Sequence, residues 1–398
     1  MLERDIVSII LNRIASNELV LINGARQTGK TTALNQIHNR LKNLGEESYL
    51  ITLEDPEYLR LLNEHPDRLW QILPQFTDKK QYILIDEIQY LTNPTNFLKY
   101  HYDLYKGSVK LIVTGSSAFY LDQHFNDSLA GRKIIYNLPT LGLKEFLRFR
   151  EREDLSLFIS AIPDFSHLPL IHKRALINLT DEYLTYGGYP GVVLANGTES
   201  KKELLFDLFS SYLKRDFTES GLKSTDTAYH LLKLLAWQSG NELNRNSLAK
   251  ELGINRKTLE DLLLTLQKTF HITLIRPFFS GHPKELRKMP KLYFLDLGMR
   301  NAVLRNFELP SQRRDIGQLY ENYVFRHLYD SCKGSEIQYW RTQAGNEVDF
   351  LIDGKQAYEV KWNTSHINEG KLKQFKELYP DIKLNFVAHN ASGQYLQF

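Results

Sequence analysis

A single cysteine, Cys332, in 398 residues excludes an internal disulfide and a multi-thiolate zinc site. Long hydrophobic runs are missing as well. No stretch approaches the roughly 18 apolar residues that a membrane helix needs, and Met1-Leu2-Glu3-Arg4-Asp5 lacks the basic-then-apolar pattern of a secretory leader. The expectation is a cytoplasmic protein with no membrane partner. Nor is there an excess of charge of one sign. Lys and Arg total 50 against 47 Asp and Glu, so a nucleic-acid partner would need a local basic patch, not the field of the whole molecule. Repeats and low-complexity tracts are absent too. What remains is the composition of a globular chain, 42% hydrophobic and 24% charged, long enough for two or three domains.

From Asn17 to Asn137, short apolar runs alternate with segments of helical period. The runs are residues 19–23, 48–53, 81–86, 109–114 and 133–138. Strand–helix alternation of this kind predicts a parallel sheet covered by helices on both faces. Burial on both faces explains why Leu19-Val20-Leu21-Ile22 and Ile83-Leu84-Ile85 are continuously apolar. Beyond Pro139 the pattern changes. Residues 142–235 read as mostly helical, broken by Tyr186-Gly187-Gly188-Tyr189-Pro190-Gly191. A helical then strand-like unit follows, and mixed helix and strand return from about residue 311, with Pro310-Ser311 reading as a linker.

Gly24-Ala25-Arg26-Gln27-Thr28-Gly29-Lys30-Thr31 fits the pattern G-x-x-x-x-G-K-[ST], between a buried-type strand and a helical pattern beginning at Thr32. Such a loop lets backbone N–H groups close around phosphates at a helix N-terminus. Lys30 would reach the β- and γ-phosphates, and the Thr31 hydroxyl would ligate Mg²⁺. The strand Tyr82-Ile83-Leu84-Ile85 runs into Asp86-Glu87. Asp86 would hold the metal through water, and Glu87 would polarise an attacking water. The ligands expected here are ATP and Mg²⁺. At the tip of the next strand, Thr114 and Ser116 are candidates to sense the γ-phosphate, or else they simply begin a turn. Arg132, behind a small-residue turn, is either an arginine finger acting in cis or in trans, or a surface arginine beside Lys133.

With Thr32, this loop, together with Asp86-Glu87-Ile88-Gln89 and Thr114-Gly115-Ser116-Ser117, resembles prokaryotic AAA-type ATPases with a C-terminal domain of unknown function, DUF4143. Leu129-Ala130-Gly131-Arg132, Glu145-Phe146-Leu147, the 186–191 cluster and Phe294-Leu295-Asp296-Leu297-Gly298 resemble the family as well. At Leu138-Pro139-Thr140-Leu141-Gly142-Leu143 the chain departs from the family's usual Pro-Leu-Ser. The resemblance implies an ATPase core.

Asn246 to Leu259 reads as a helix-turn-helix: Ser247 caps one helix, Gly253 turns, and Asn255 caps the next. Arg256 and Lys257 then open the second helix, where such motifs meet DNA. Phe278 to Pro283 would be the wing or the loop after it, followed by a basic stretch from Lys284 to Lys291. The alternative is a three-helix unit that docks to protein or to a second subunit. In the last unit, Glu321 on a helix, Asp349 on one strand and Glu359-x-Lys361 on the next resemble the PD-(D/E)XK nuclease fold. That resemblance implies carboxylates binding Mg²⁺ and a lysine positioning the nucleophile. Glu-x-Lys also occurs on strands as a simple ion pair.

The reading is an α/β chain in four parts. Residues 1–140 form a P-loop ATPase domain, 141–227 a helical connector, 228–308 a winged-helix-like domain and 309–398 a nuclease-like domain. Its function would be a nucleotide-driven switch for a C-terminal nucleic-acid- or protein-binding module, with DNA as a candidate partner. The alternatives are an ATP-gated, Mg²⁺-dependent endonuclease and a non-catalytic scaffold.

Overall fold

A computed structural model describes residues 2–74, 79–115, 129–161, 169–219, 225–278, 289–332, 334–342, 345–363, 365 and 369–389. The chain divides into two compact units. One runs from the N-terminus to Pro139 and includes Lys268–Phe270; the other takes the remainder.

The first unit is built on five strands: β1 (Leu19–Asn23), β2 (Glu47–Thr52), β3 (Gln81–Asp86), β4 (Val109–Gly115) and β5 (Lys133–Asn137). Each lies within one residue of the run that announces it. All pairings are parallel, in the order β2-β3-β4-β1-β5. Because side chains alternate across a strand, β1 feeds two cores. Val20 and Ile22 pack with Ile6, Val7, Ile10, Leu34 and Ile37 on one face. Leu19 and Leu21 pack with Phe97, Leu98 and Ile88 on the other. In register, Asn23 pairs with Gly115 and with Asn137, so three strands end side by side. At that edge β1 leads through the glycine loop into the helix Lys30–Asn43.

The second unit opens with helices, among them Leu143–Phe149, Leu170–Tyr186, Thr198–Glu219 and Thr225–Trp237. Two more, Arg245–Leu252 and Arg256–Lys268, are separated by Gly253 in the left-handed conformation. Leu248, Leu259, Leu262, Leu263 and Leu266 from this pair enter a common core. Asn255 Oδ1 accepts from Thr258 N–H at 2.8 Å, as a cap should. The first helix is capped otherwise than expected. Asn244 Oδ1 accepts from the N–H of Ser247 at 3.1 Å, which leaves Ser247 inside the helix. Asn is as good a cap as Ser, and here it stands three residues upstream of the N–H it satisfies.

A six-stranded mixed sheet completes the unit, in the order β11-β10-β9-β8-β6-β7. Its strands are β6 (Ile272–Pro277), β7 (Lys291–Phe294), β8 (Ile337–Arg341), β9 (Glu347–Ile352), β10 (Gln356–Lys361) and β11 (Lys383–Ala388). The wing residues 279–283 and most of the basic stretch lie outside the described residues. Around Pro310-Ser311 the chain is well packed: Pro310, Arg313 and Asp315 are buried, and Arg313 and Arg300 both pair with Asp315 at 2.8–2.9 Å.

Two of the family-like motifs of this unit, the 186–191 cluster and 294–298, meet each other. Asp296 Oδ2 accepts from Gly188 N–H at 2.8 Å, and its other oxygen accepts from Met299 N–H at 2.9 Å. Nearby, the fully buried Arg326 donates to the Thr140 carbonyl at 2.8 Å and pairs with Asp330 at 3.0 Å. No helix among the described residues is long and apolar enough to cross a membrane.

Candidate nucleotide site and a second charged cluster

The glycine loop is pinned from several sides. Gly29 has φ +92°, a conformation open to glycine, and serves as the N-cap of the helix that starts at Lys30. Gln27 also adopts positive φ, at 58°. The Thr28 hydroxyl donates to the Ala25 carbonyl at 2.9 Å. Lys30, 5% exposed, folds over the loop, its Nζ 3.0 Å from Gly24 O and 2.8 Å from Ala25 O. Behind the loop sits Arg4, a residue that sequence patterns do not single out. Its guanidinium donates to Thr28 O and, at 3.0 Å, to Pro139 O.

Across from the loop stands the end of β3. The Thr31 hydroxyl donates to Asp86 Oδ2 at 2.8 Å. The Thr114 hydroxyl donates to Asp86 Oδ1 and accepts from Glu87 N–H at 3.0 Å. Glu87 itself is in the left-handed region, φ 59° and ψ 50°, which is uncommon for a residue with a Cβ. Gln89 Nε2 donates to its carboxylate. The structure therefore brings Lys30, Thr31, Asp86, Glu87 and Thr114 to one end of the sheet. Gln89, noticed before only as part of a motif, is a second support. Ser116 lies outside the described residues.

The donor set suits a small hard cation next to phosphates. A hydroxyl and a carboxylate oxygen already 2.8 Å apart are the protein ligands expected of Mg²⁺, which keeps water and phosphate oxygens for the rest of its shell. The lysine ammonium and the helix N-terminus supply the positive charge for a polyphosphate.

Arg132 lies away from the glycine loop. Its carbonyl accepts from Leu19 N–H at 2.9 Å, next to the Leu19–Lys133 register pair. That is where β1 and β5 begin, whereas the phosphate loop leaves β1 after Asn23. Four residue steps of strand put about 13 Å between those levels. The guanidinium pairs with Asp103 at 2.8 Å and lies 6.0 Å over the Tyr102 ring.

In the second unit, β9 and β10 are antiparallel and joined through Asp353 and Gly354, both with positive φ. Glu359 and Lys361 share a face, with Nζ 2.6 Å from Glu359 Oε1 and 3.6 Å from Asp349 Oδ2. Asp349 Oδ2 also accepts from Val360 N–H at 2.7 Å. Glu321 comes from the helix Ile316–Ser331, where its Oε1 accepts from Tyr293 OH at 2.6 Å. The four residues are thus neighbours. Burial, with the like charge of Asp349, pushes the Glu359 carboxyl up to about 8. Burial raises Glu321 to about 7, against the pull of Lys291.

Sequence comparison gives this geometry its family. An AAA domain matches residues 16–147, and two domains of unknown function follow, DUF8612 at residues 177–309 and DUF4143 at residues 316–395. The chain thus carries an AAA domain followed by DUF8612 and DUF4143, the order expected of AAA-type P-loop proteins with a C-terminal DUF4143 domain. An uncharacterized protein of Methanocaldococcus jannaschii is 26% identical over 385 residues, covering 94% of this chain and 82% of the relative. One from Haemophilus influenzae is 24% identical over 383 residues, covering 91% and 87%. Among solved structures, the Aeropyrum pernix ORC2 protein in its ADP form aligns with a TM-score of 0.34 and 12% identity, covering 68% of this chain and 85% of that one.

Proposed function

We propose that this protein binds Mg-ATP through residues 24–32, hydrolyses it, and uses the nucleotide state to govern what its second unit binds. The observation that carries this reading is the hydrogen-bonded chain Thr31–Asp86–Thr114–Glu87 beside Lys30. Main-chain N–H groups from Gly24 to Thr31, with the helix N-terminus, hold the phosphates. Gly24, Ala25, Arg26, Gln27, Thr28 and Gly29 supply the loop, and Thr32 continues it into the helix. Lys30, now donating to carbonyls of its own loop, turns its ammonium to the β- and γ-phosphates. Thr31 and Asp86 orient the metal, which when bound neutralises charge on the transferring phosphoryl group. Glu87, set by its backbone conformation and by Gln89, aims a carboxylate at the water. Thr114, bonded to Asp86 and Glu87 at once, registers the γ-phosphate.

The switch reading for the second unit draws on the two helices around Gly253 and on the positions of Arg256 and Lys257. Arg256 is ion-paired with Glu260 at 2.9 Å and both are exposed, which suits a protein surface or a second subunit at least as well as a DNA groove.

Calorimetry with Mg-ATP on the wild type and Lys30→Ala tests the site, and turnover tests the chemistry. Heat of binding that survives Lys30→Ala unchanged sinks the reading. Limited proteolysis of the second unit with ATP, with ADP and without nucleotide tests the coupling: identical digestion patterns would refute it.

A further inference from the structure

The resemblance of Glu321, Asp349, Glu359 and Lys361 to a PD-(D/E)XK site implies a divalent metal, and the residues present do not fit one. Among the described residues no group of three or more His, Cys, Asp or Glu side chains is arranged to hold a metal ion. The physical reason is a residue outside that motif. Lys291, the first residue of β7, is 1% exposed. Its Nζ lies 3.2 Å from Glu321 Oε1 and 3.7 Å from Asp349 Oδ1, and it also contacts Glu347 Oε1.

We propose that Lys291 is the resident cation of this carboxylate cluster, its ammonium occupying the position a divalent metal would need and closing the cluster to metal-dependent phosphodiester cleavage.

Three lines support it. The first is charge. Burial works against an ammonium, yet Glu321, Tyr293, Asp349 and Glu347 together hold Lys291 in its charged form well above the usual lysine range. A buried cation so compensated repels a second one arriving in the same space. The second is the state of the oxygens. Mg²⁺ asks for lone pairs in near-octahedral array. Here Glu321 Oε1 serves Tyr293 and Lys291, Asp349 Oδ2 serves Val360 N–H, and Glu359 Oε1 serves Lys361. Among the described residues only Glu359 Oε2 in this group is a buried oxygen with no partner, and one oxygen does not make a site. The third is topology. Lys291 reaches the cluster because β6 pairs with both β7 and β8, placing the hairpin strands in the same sheet as β9 and β10. Lys291 Nζ also stands 5.5 Å from the centre of the Tyr339 ring, which covers it.

The test is Mn²⁺ binding to the full chain without nucleotide, read by electron paramagnetic resonance. Results there do not depend on whether the phosphate loop hydrolyses ATP. Wild type and Asp349→Asn should bind Mn²⁺ alike, neither with a site attributable to the cluster. Lys291→Met should gain a site at least tenfold tighter than any in the wild type, and Lys291→Met with Asp349→Asn should lose it again. A wild-type Mn²⁺ site that Asp349→Asn abolishes overturns the proposal. So does Mn²⁺-dependent DNA cleavage by the wild type that disappears in Glu359→Ala, or a folded Lys291→Met that gains nothing. If Lys291→Met fails to fold, the wild type and Asp349→Asn decide the matter between them.

Discussion

Gly24 and Leu138 meet backbone to backbone: a Cβ on Gly24 would stand 2.3 Å from the Leu138 carbonyl oxygen, far inside contact distance. The same stretch is tied to β1 by Leu138 N–H donating to Asn23 O at 2.6 Å. Gly24→Ala must therefore displace either the phosphate loop or the end of β5. We expect Mg-ATP affinity to fall at least tenfold, with a lower melting temperature as well. Calorimetry and a thermal melt check this, and wild-type affinity in a folded Gly24→Ala protein would contradict it.

Glu87 is held by its neighbours in a backbone conformation that costs on the order of 1 kcal/mol. Glu87→Gln preserves size and should preserve ATP binding while lowering turnover at least about 100-fold, the scale of losing a general base. Thr114→Val removes both the donor to Asp86 and the acceptor for Glu87 N–H. It should lower turnover more than it lowers affinity. Steady-state phosphate release alongside nucleotide binding separates the two effects, and equal losses in both would argue against a role in the chemical step.

Arg132 sits at the level where the strands start, paired with Asp103. Arg132→Ala should leave turnover within twofold of wild type at protein concentrations where the chain is monomeric. Losing the partly exposed pair should cost no more than about 1 kcal/mol of stability. A collapse of turnover that appears only as subunits associate would instead mark Arg132 as acting on a neighbouring subunit.

His101 makes the stability of the first unit depend on pH. It is 1% exposed, among Trp70, Phe97, Tyr100 and Tyr105, with Nε2 2.9 Å from Pro66 O. Burial lowers it to about 4, with His65 adding to the effect while the Pro66 carbonyl and Asp67 oppose it. The folded state thus disfavours the proton. Stability is fully present above the unfolded value near 6.5 and is lost as pH falls through it toward 4. Between pH 7 and 5 the loss should be roughly 2 kcal/mol. Chemical denaturation of wild type and His101→Gln at both values checks this: the variant's stability should change less with pH. Parallel slopes would dismiss His101 as the source.

Much of the first unit was legible because its signals are local. A strand buried on both faces is apolar throughout, and a phosphate loop announces itself in eight consecutive residues. Arg4 was not legible, since its partners Thr28 and Pro139 are 24 and 135 positions away. Arg132 could not be placed from sequence for a related reason. Its place in the sequence, after β4, says nothing about which end of the sheet the chain has returned to. In the second unit, Glu321, Asp349, Glu359 and Lys361 were found one by one, but Lys291 decides what they amount to. A lone lysine heading Lys291-Leu292-Tyr293-Phe294 was its only sign, and there it read as the end of a basic stretch.

β4 lies between the strand that feeds the phosphate loop and the strand that carries Asp86, so those two never touch directly. Ile112 and Val113, both buried in β4, consequently set the spacing of those two strands as well as filling core. Shaving either to alanine would loosen the spacing between Lys30 and Asp86 without altering one atom of either, so the proposed site could be weakened from beneath its own floor.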